Sequence, residues 1–255
     1  MNILKKVLQG VFLGISLVLP GMSAGTALII LGKYHQFLKD VSTFNVKPYY
    51  GLALGAVGGV LFIAHFITSL LEYYPDLIIS FLLGLLLSSV ILVLKPLEPK
   101  KYRLIHVFPF ILGIIIAWNL IDEPMTRISL EATDSTLLIF VAGTIVSATM
   151  LLPGVSGSSL LIMINLYDDM LYFVNQLIWP KLLIFSGGLV VGVLLFSRAL
   201  SSLYNCFRYP TSFFIAGLLI GSGKALIPSY VGVDIIFMVL AGVFVVSLIS
   251  IKEAK

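Results

Sequence analysis

The sequence predicts an all-α integral membrane protein, built as an inverted repeat of two units that each contain a re-entrant helical hairpin and three transmembrane helices. Three observations predict this fold: an apolar composition, an internal repeat, and an uneven distribution of charge among the loops. Of the 255 residues, 59% are hydrophobic and 11% are charged, whereas roughly 25% of the residues of a soluble domain are charged. Water is therefore not the main solvent of this chain.

Six apolar runs approach the ~20 residues that a helix needs to cross a bilayer. They are residues 49–71, 77–94, 104–121, 181–203, 211–227 and 231–251. The net charge of +4 comes from basic residues in the short loops between these runs, which indicates membrane topology rather than binding of nucleic acid. The single cysteine, Cys206, and three histidines without metal-ligand spacing predict neither a disulfide nor a metal site, and no cofactor is expected.

The two halves of the sequence match each other at an offset of 133 residues. The motif PGMS at 20–23 aligns with PGVS at 153–156, and ten of the 34 paired positions in 8–41 and 141–174 are identical. Because glycines, a proline and a serine recur in register, composition bias alone does not explain the match. We therefore expect one membrane domain made of a first repeat, 1–135 with its hairpin at 7–38, and a second repeat, 136–255 with its hairpin at 136–174.

An interrupted apolar segment opens each repeat. In the first, residues 7–19 and 27–38 would form helical arms of roughly 18–20 Å, too short to cross a hydrocarbon core of ~30 Å. Pro20 and Gly21 between them disfavour a continuous helix. The two arms therefore form either one broken span or a re-entrant hairpin that enters and leaves on the same side.

The charged loops favour the re-entrant hairpin, because cytoplasmic loops are enriched in Lys and Arg. With two re-entrant hairpins, one side collects Lys5, Lys6, Lys33, Lys39, Lys47, Lys95, Lys100, Lys101, Arg103, Arg208, Lys252 and Lys255. The other side then carries Glu72, Asp76, Asp122, Glu123, Glu131, Asp134, Asp168, Asp169 and Asp234 against Arg127, Lys181 and Lys224. Each half has an odd number of spans, three, so the second copy crosses the membrane in the opposite direction to the first. Both termini are then expected in the cytoplasm.

Residues 20–26 and 153–159, here called the two tip segments, are rich in small and hydroxylated residues. A helix that restarts there points free N–H groups and ~0.5 of a positive charge at whatever lies in front of it. Phosphate suits such a site, so we predict a phosphate-binding site from both tip segments, while close packing of small residues is the alternative. The predicted residues are Pro20, Gly21, Ser23, Gly25, Thr26, Pro153, Gly154, Ser156, Gly157, Ser158 and Ser159.

Two cationic residues lie within the apolar runs and are further candidates for this site. Arg198 lies five residues inside the end of its run, and its partner at the repeat offset is His65. A charge inside the membrane is costly and therefore often functional, although a long side chain can also extend to the headgroups. The same two interpretations apply to Lys224, beside Gly221 and Gly223.

At the tip segments the chain resembles the polyprenyl-phosphate transporter family. Both Pro-Gly-x-Ser motifs, the tyrosines that follow them (Tyr34 and Tyr167), the length and the duplicated plan carry the resemblance over nearly the whole chain. It implies a bacterial cytoplasmic-membrane protein that returns undecaprenyl phosphate, the carrier lipid of cell-wall synthesis, to the inner leaflet. One departure is Ala24, where the family is expected to carry glycine.

Two other functions use a similar site. Membrane undecaprenyl-pyrophosphate phosphatases also resemble inverted repeats with Pro-Gly-x-Ser hairpins, but hydrolysis would require an arginine at the tip and carboxylates beside it. This chain has Ala24 and Gly157 at the arginine position, and residues 7–19 and 136–152 contain no acid, so an enzyme is not expected. A transporter of small anions remains the third interpretation.

Overall fold

The computed structural model describes residues 3–19, 22–121, 135–155, 157–164 and 166–253. Within these ranges, the side chains at positions 18, 61–72, 121, 158, 159, 171, 175 and 251–253 are outside the description. Pro20, Gly21 and Ser156 therefore lie outside the described residues, as do the side chains of His65, Ser158 and Ser159.

Every regular element in the described ranges is helical. The α-helices are α1 (Ile3–Val18), α2 (Ala24–Ile30), α3 (Tyr34–Ser42), α4 (Tyr50–Tyr73), α5 (Pro75–Leu94), α6 (Val107–Ile121), α7 (Thr136–Leu151), α8 (Gly157–Met163), α9 (Tyr167–Asn175), α10 (Trp179–Cys206), α11 (Arg208–Ser222) and α12 (Val233–Glu253). Short 3-10 helices lie at Lys47–Tyr49, Pro99–Lys101, Leu104–His106 and Gly223–Leu226. The all-α class predicted from the sequence is confirmed.

Both Pro-Gly motifs interrupt a helix, as the sequence predicts. The chain leaves α1 at Val18 and starts α2 at Ala24, and it leaves α7 at Leu151 and starts α8 at Gly157. The side chain of Ser23 caps α2, because its hydroxyl accepts a hydrogen bond from the amide of Thr26 at 3.2 Å. Such a cap satisfies one of the amide groups that the first turn of a helix leaves without a partner.

The second arm of the first predicted hairpin differs from the expectation, since residues 27–38 do not form one helix. The chain turns at Gly32, which has a left-handed φ of +64°. The amide of Lys33 donates to the carbonyl of Leu28 at 2.8 Å and that of Gly32 to the carbonyl of Ile29 at 2.9 Å. This is the Schellman pattern that ends helices at a glycine, so α2 has only seven residues and α3 starts anew at Tyr34.

Four helix pairs account for most of the packing, and each joins through closely approaching glycines. Helix α1 lies along α4, α7 along α10, α5 along α12 and α6 along α11. A methyl group on one glycine of each pair would overlap a carbonyl oxygen of the partner helix, as at Gly10 with Leu52, Gly143 with Phe185, Gly84 with Val239, and Gly217 with Phe110. Small residues let helix backbones approach closely, which is typical of membrane helices.

The centre of the molecule is formed around α2. Six of its seven residues, all but Ala24, are buried, and they belong to or adjoin a cluster that includes Leu82 and Leu86 of α5 and Leu219 of α11. The outer faces are apolar as well, since Leu54, Phe108, Leu183 and Phe237 are each about two-thirds exposed or more, at 71%, 71%, 67% and 70%. An apolar surface of this kind requires an apolar solvent.

Three described helices are long and apolar enough to cross a membrane, namely Pro75–Leu94, Trp179–Cys206 and Val233–Ser250. Helix α4 has 24 residues, and the side chains of its second half, 61–72, lie outside the description. The runs at 104–121 and 211–227 form shorter helices than expected, since α6 and α11 have 15 residues each. Their ends are taken up by 3-10 turns at Leu104–His106 and Gly223–Leu226.

Candidate functional site at the two tip segments

The first tip segment contacts the end of α7 directly before the second tip segment, and this contact is called the junction below. The hydroxyl of Ser23 donates to the carbonyl oxygen of Leu152 at 3.3 Å, and it also lies 3.2 Å from the hydroxyl of Thr26. Ser23 is 5% exposed and Thr26 is fully buried. Ser23, which was predicted to be a site residue, thus binds a residue 129 positions further along the sequence.

Gly25 allows this close approach. A Cβ atom at Gly25 would lie 2.6 Å from the carbonyl oxygen of Leu151 and 3.0 Å from the backbone nitrogen of Pro153. Real Cβ atoms do not approach backbone this closely, so only glycine fits between α2 and the backbone at Leu151–Pro153. The close neighbours of Gly25 are thus the end of α7 and Pro153, while its role in binding phosphate stays a prediction.

Gly154 shapes the second tip segment. Its φ of +79° is left-handed, a conformation that costs little for glycine and more for other residues. A Cβ atom there would lie 2.6 Å from the hydroxyl oxygen of Ser222 and 2.9 Å from the carbonyl oxygen of Leu218. Val155 follows and is buried against Ala117 of α6 and Leu218 of α11, so the second tip segment is packed against both of these helices.

A cavity of about 340 Å³ lies beside the junction and is lined by both tip segments. Its lining includes Ser23 and the first residues of α2 and α8, Ala24 and Gly157. Its other lining residues are apolar: Leu17, Met22, Val146, Met150, Val155, Leu161 and Phe185. None of these described lining residues is ionisable. The space therefore suits a ligand with a small polar group and an apolar remainder.

Tyr34 also contributes to this site, and its hydroxyl donates to the carbonyl oxygen of Leu151 at 3.0 Å. The ring is 4% exposed. The sequence offered one signal for this residue, since Tyr34 is repeated as Tyr167 at the same offset. Ser222 had no such signal, because it lies in neither motif. The carbonyls of Leu151 and Leu152 had none either, because every residue has a backbone carbonyl.

The two predicted cations lie in different surroundings. The Nε of Arg198 donates to the carbonyl oxygen of Ser42 at 3.0 Å, and its guanidinium lies 5.1 Å from the centre of the Phe44 ring. The structure thus places Arg198 against the end of α3 and not at the tip segments. The Nζ of Lys224 lies 5.0 Å from the centre of the Trp118 ring. Lys224 follows Ser222 by two residues, and Ser222 adjoins Gly154. A contact between either cation and phosphate stays a prediction.

Metal ligands are not grouped in the described part of the chain, where no three His, Cys, Asp or Glu side chains come together in a way that could hold an ion.

Comparison with known proteins relates the chain to a family of lipid-phosphate transporters. Residues 4–79 and 52–238 match the model of the undecaprenyl phosphate translocase-like family. A protein of Vibrio cholerae serotype O1 named polyprenyl-phosphate transporter is 34% identical over 242 residues, which cover 87% of this chain and 77% of that protein. A Staphylococcus aureus protein of the same name is 25% identical over 264 residues, which cover 95% of this chain and 93% of that protein. No solved structure matches the chain.

Proposed function

Because the chain belongs to the undecaprenyl phosphate translocase-like family, we propose that it carries polyprenyl phosphate across the membrane and binds the phosphate at the two tip segments. The two relatives that carry the name polyprenyl-phosphate transporter support the substrate class. The resemblance of the Pro-Gly-x-Ser motifs, read from the sequence alone, leads to the same conclusion.

The main support for the proposal is the hydrogen bond between Ser23 and Leu152, which lies beside a cavity that both tip segments line. Three lining residues, Ser23, Ala24 and Gly157, bring a hydroxyl group and backbone amides to this cavity, and the remaining ones are leucine, valine, methionine and phenylalanine. A polyprenyl phosphate has the same division, with a phosphate at one end of a hydrocarbon chain. A small inorganic anion would leave most of the apolar wall without a partner.

In this arrangement, the phosphate would replace contacts that the tip segments make with each other. The Ser23 hydroxyl already accepts from the Thr26 amide and donates to the Leu152 carbonyl. A phosphate oxygen that accepts from Ser23 would therefore release Leu152 and loosen the junction. Since the groups at the junction come from both halves, binding and the relative movement of the halves would be coupled.

We also propose the inverted-repeat topology with two re-entrant hairpins, and the pairing of helices supports it. At the repeat offset, α1 corresponds to α7 and α4 to α10, and the pairs α1–α4 and α7–α10 both pack closely. Gly10 and Gly55 adjoin each other in the first pair, and their repeat partners Gly143 and Gly188 adjoin the opposite helix in the second. An inverted repeat of this kind places a central site between the halves and opens it to each side in turn.

The proposed location is the bacterial cytoplasmic membrane, with both termini in the cytoplasm. The Lys- and Arg-rich loops named above support this orientation through the positive-inside rule. The proposal includes no catalytic step. Ala24 and Gly157, at the positions where a phosphatase would need arginine, both line the shared cavity and offer no charge to a pyrophosphate.

Reconstitution tests the function directly. Purified protein is placed in liposomes that carry labelled undecaprenyl phosphate in the outer leaflet and inorganic phosphate inside, and the rates of lipid flipping and of phosphate leakage are measured together. We expect lipid flipping well above that of protein-free liposomes, without phosphate leakage. In a separate assay with undecaprenyl pyrophosphate as substrate, we expect no release of phosphate. Leakage without flipping would instead support a small-anion transporter, and phosphate release a phosphatase.

A further inference from the structure

Two exposed apolar residues, Phe44 and Leu177, have a backbone conformation that favours glycine. Their φ angles are +60° and +50°, and no other described residue except glycine has a positive φ. The two residues are 60% and 59% exposed. Leu177 is the partner of Phe44 at the repeat offset of 133. The same unfavourable conformation therefore occurs at the same position of both halves.

Each of these two residues follows the end of a helix. Phe44 comes two residues after the end of α3, and Leu177 comes two residues after the end of α9. The amide that follows Phe44 donates to the carbonyl of Asp40 at 2.8 Å, and the amide that follows Leu177 donates to that of Phe173 at 2.9 Å. This is the Schellman pattern, in which glycine is the usual residue, as at Gly32. The turn itself thus favours glycine, and a large side chain here requires another reason.

Contact with the lipid–water interface provides that reason. Neither side chain belongs to a described cluster of buried residues. Soon after Phe44, Val46 and Tyr50 are 44% and 62% exposed, and Trp179, two residues after Leu177, is 63% exposed. Aromatic side chains are enriched at the level of the lipid headgroups. Each of the two helix ends therefore presents side chains that suit the membrane surface.

The first of these helix ends also contacts an arginine. The guanidinium of Arg198 lies 5.1 Å from the centre of the Phe44 ring, and its Nε donates to the carbonyl oxygen of Ser42 at 3.0 Å. Within the described part of the chain, its two terminal nitrogens have neither a hydrogen bond nor a carboxylate partner. Helix α10 contains no acid, and Asp40 of α3 accepts from the hydroxyl of Tyr49 at 2.9 Å. The terminal nitrogens are therefore available to an anion from outside the chain.

The second helix end differs from the first in charge. Asp168 and Asp169 lie in the first turn of α9, which contains no basic residue, whereas α3 has Lys39 in its last turn and no acid in its first. Leu177 also lacks the aromatic face on which a guanidinium can stack. The two helix ends thus share an exposed apolar side chain, but the charge at the first complements an anion and the charge at the second does not.

The depth of Arg198 places the first helix end at the membrane surface. Arg198 lies five residues inside the end of the apolar run 181–203, roughly 7 Å along the helix axis, and a long side chain reaches the headgroups from there. We propose that Phe44 and Arg198, together called the anchor corner, bind an anionic phospholipid of the membrane on the side of the basic loops. The Phe44 ring lies among the acyl chains next to the headgroup, and the terminal nitrogens of Arg198 donate two parallel hydrogen bonds to its phosphate. The proposal rests on the topology proposed above and not on the identity of the carried lipid.

Fluorescence quenching by brominated lipids tests the proposal. In a Trp118→Phe, Trp179→Phe background, which has no other tryptophan, Phe44→Trp reports on the lipids at the anchor corner and Leu177→Trp on those at the second helix end. Each variant is reconstituted in mixed vesicles of phosphatidylglycerol and phosphatidylcholine, with bromine on the acyl chains of one lipid at a time. Phosphatidylglycerol should bind roughly fivefold better than phosphatidylcholine at position 44, and the two lipids should bind within about twofold of each other at position 177.

Removal of a single charge provides the matched control. In the Phe44→Trp protein, Arg198→Gln should reduce the preference for phosphatidylglycerol to within about twofold, whereas Lys100→Gln, in the exposed loop between α5 and α6, should leave it unchanged. If Arg198→Gln does not fold, Arg198→Lys keeps the charge but loses the two parallel hydrogen bonds, and a smaller preference is expected. Equal quenching by both lipids at position 44, an equal preference at positions 44 and 177, or a preference unchanged by replacement of Arg198 would overturn the proposal.

Farnesyl phosphate distinguishes a phospholipid of the membrane from the carried lipid. It should leave the quenching by brominated phosphatidylglycerol at position 44 unchanged, because the tip segments are the proposed site of the carried headgroup. Displacement would assign the anchor corner to the carried lipid and overturn the proposal.

Transport is measured separately, as flipping of undecaprenyl phosphate in vesicles of phosphatidylcholine alone. Flipping without a lipid preference at position 44 would leave the transport proposal standing and remove the anchor corner. A preference at position 44 without flipping would leave the anchor corner standing and remove the transport proposal.

Discussion

The hydroxyl of Ser23 lies 3.3 Å from the carbonyl oxygen of Leu152, and this contact joins the first half of the chain to the second. One residue earlier, the carbonyl of Leu151 accepts from the hydroxyl of Tyr34 at 3.0 Å. Two side chains of the first half thus hold two consecutive carbonyls of the second. Ser23 and the start of α3 cannot move away from the end of α7 without breaking both bonds, and each buried group would then need a new partner.

Replacing Ser23 by alanine should affect stability and binding together. The variant loses the cap of α2, which costs about 1 kcal/mol of unfolding free energy, and one donor to the phosphate, which weakens binding about fivefold. Ser16→Ala is the matched control, because the buried Ser16 hydroxyl bonds within its own helix to Phe12 at 2.9 Å. Lipid-phosphate affinity measured for both variants checks the prediction; equal affinities would remove Ser23 from the site.

Tyr34→Phe should destabilise the junction while keeping the ring in place. The Leu151 carbonyl would lose its partner in a buried setting, at a cost of about 1 kcal/mol. Tyr50→Phe, at a residue 62% exposed, should change nothing measurable. Thermal unfolding in detergent of the two variants and the wild type provides the comparison, and an unchanged melting temperature for Tyr34→Phe would contradict the importance of this bond.

Gly25→Ala should force α2 away from the end of α7. The added methyl would lie 2.6 Å from the Leu151 carbonyl oxygen, and this atom belongs to backbone that cannot rotate away. Overpacking of this kind costs about 1–3 kcal/mol. Gly58→Ala is the control, since a Cβ atom at Gly58 meets nothing within 4 Å. Flipping rates in liposomes should fall for Gly25→Ala only, and wild-type flipping by this variant would argue against a working junction at Gly25.

Cysteine labelling tests the proposed orientation. In a Cys206→Ala background, Lys47→Cys should resist a membrane-impermeant maleimide in intact cells, and Val231→Cys, at a residue 83% exposed between α11 and α12, should react. Both should react once the cells are permeabilised. Labelling of position 47 in intact cells would contradict the re-entrant hairpin of the first repeat.

The sequence was sufficient to predict the helical class and the two interruptions. A Pro-Gly pair constrains the backbone locally, so its effect on a helix can be read without knowing the neighbours. The end of α2 at Gly32 was missed, although glycine after a helical run is a local signal of the same kind, because residues 27–38 read as one apolar arm. The 15-residue lengths of α6 and α11 were missed because hydropathy does not distinguish helix from the 3-10 turns beside it.

The site could be predicted only where a side chain carries the chemistry. Ser23, Gly25 and Thr26 were recognised from their motif and lie at the junction, whereas the carbonyls that Ser23 and Tyr34 bind have no sequence signature. Arg198 was proposed because a charge in an apolar run is costly; the structure places it against the Ser42 carbonyl and the Phe44 ring, and its contact with phosphate stays a prediction. Hydropathy alone does not show which partner a cation finds.

A double-mutant cycle on Ser23 and Ser156 tests the central claim, that both tip segments hold one phosphate, most directly. Affinity for farnesyl phosphate is measured for the wild type, Ser23→Ala, Ser156→Ala and the double variant, each checked for thermal unfolding. Groups that share a ligand couple by ~0.5–3 kcal/mol, whereas independent distant sites add within ~0.5 kcal/mol. We expect a coupling free energy above that limit; strict additivity, with both single variants folded and each weakened, would mean that the two tip segments do not share a site.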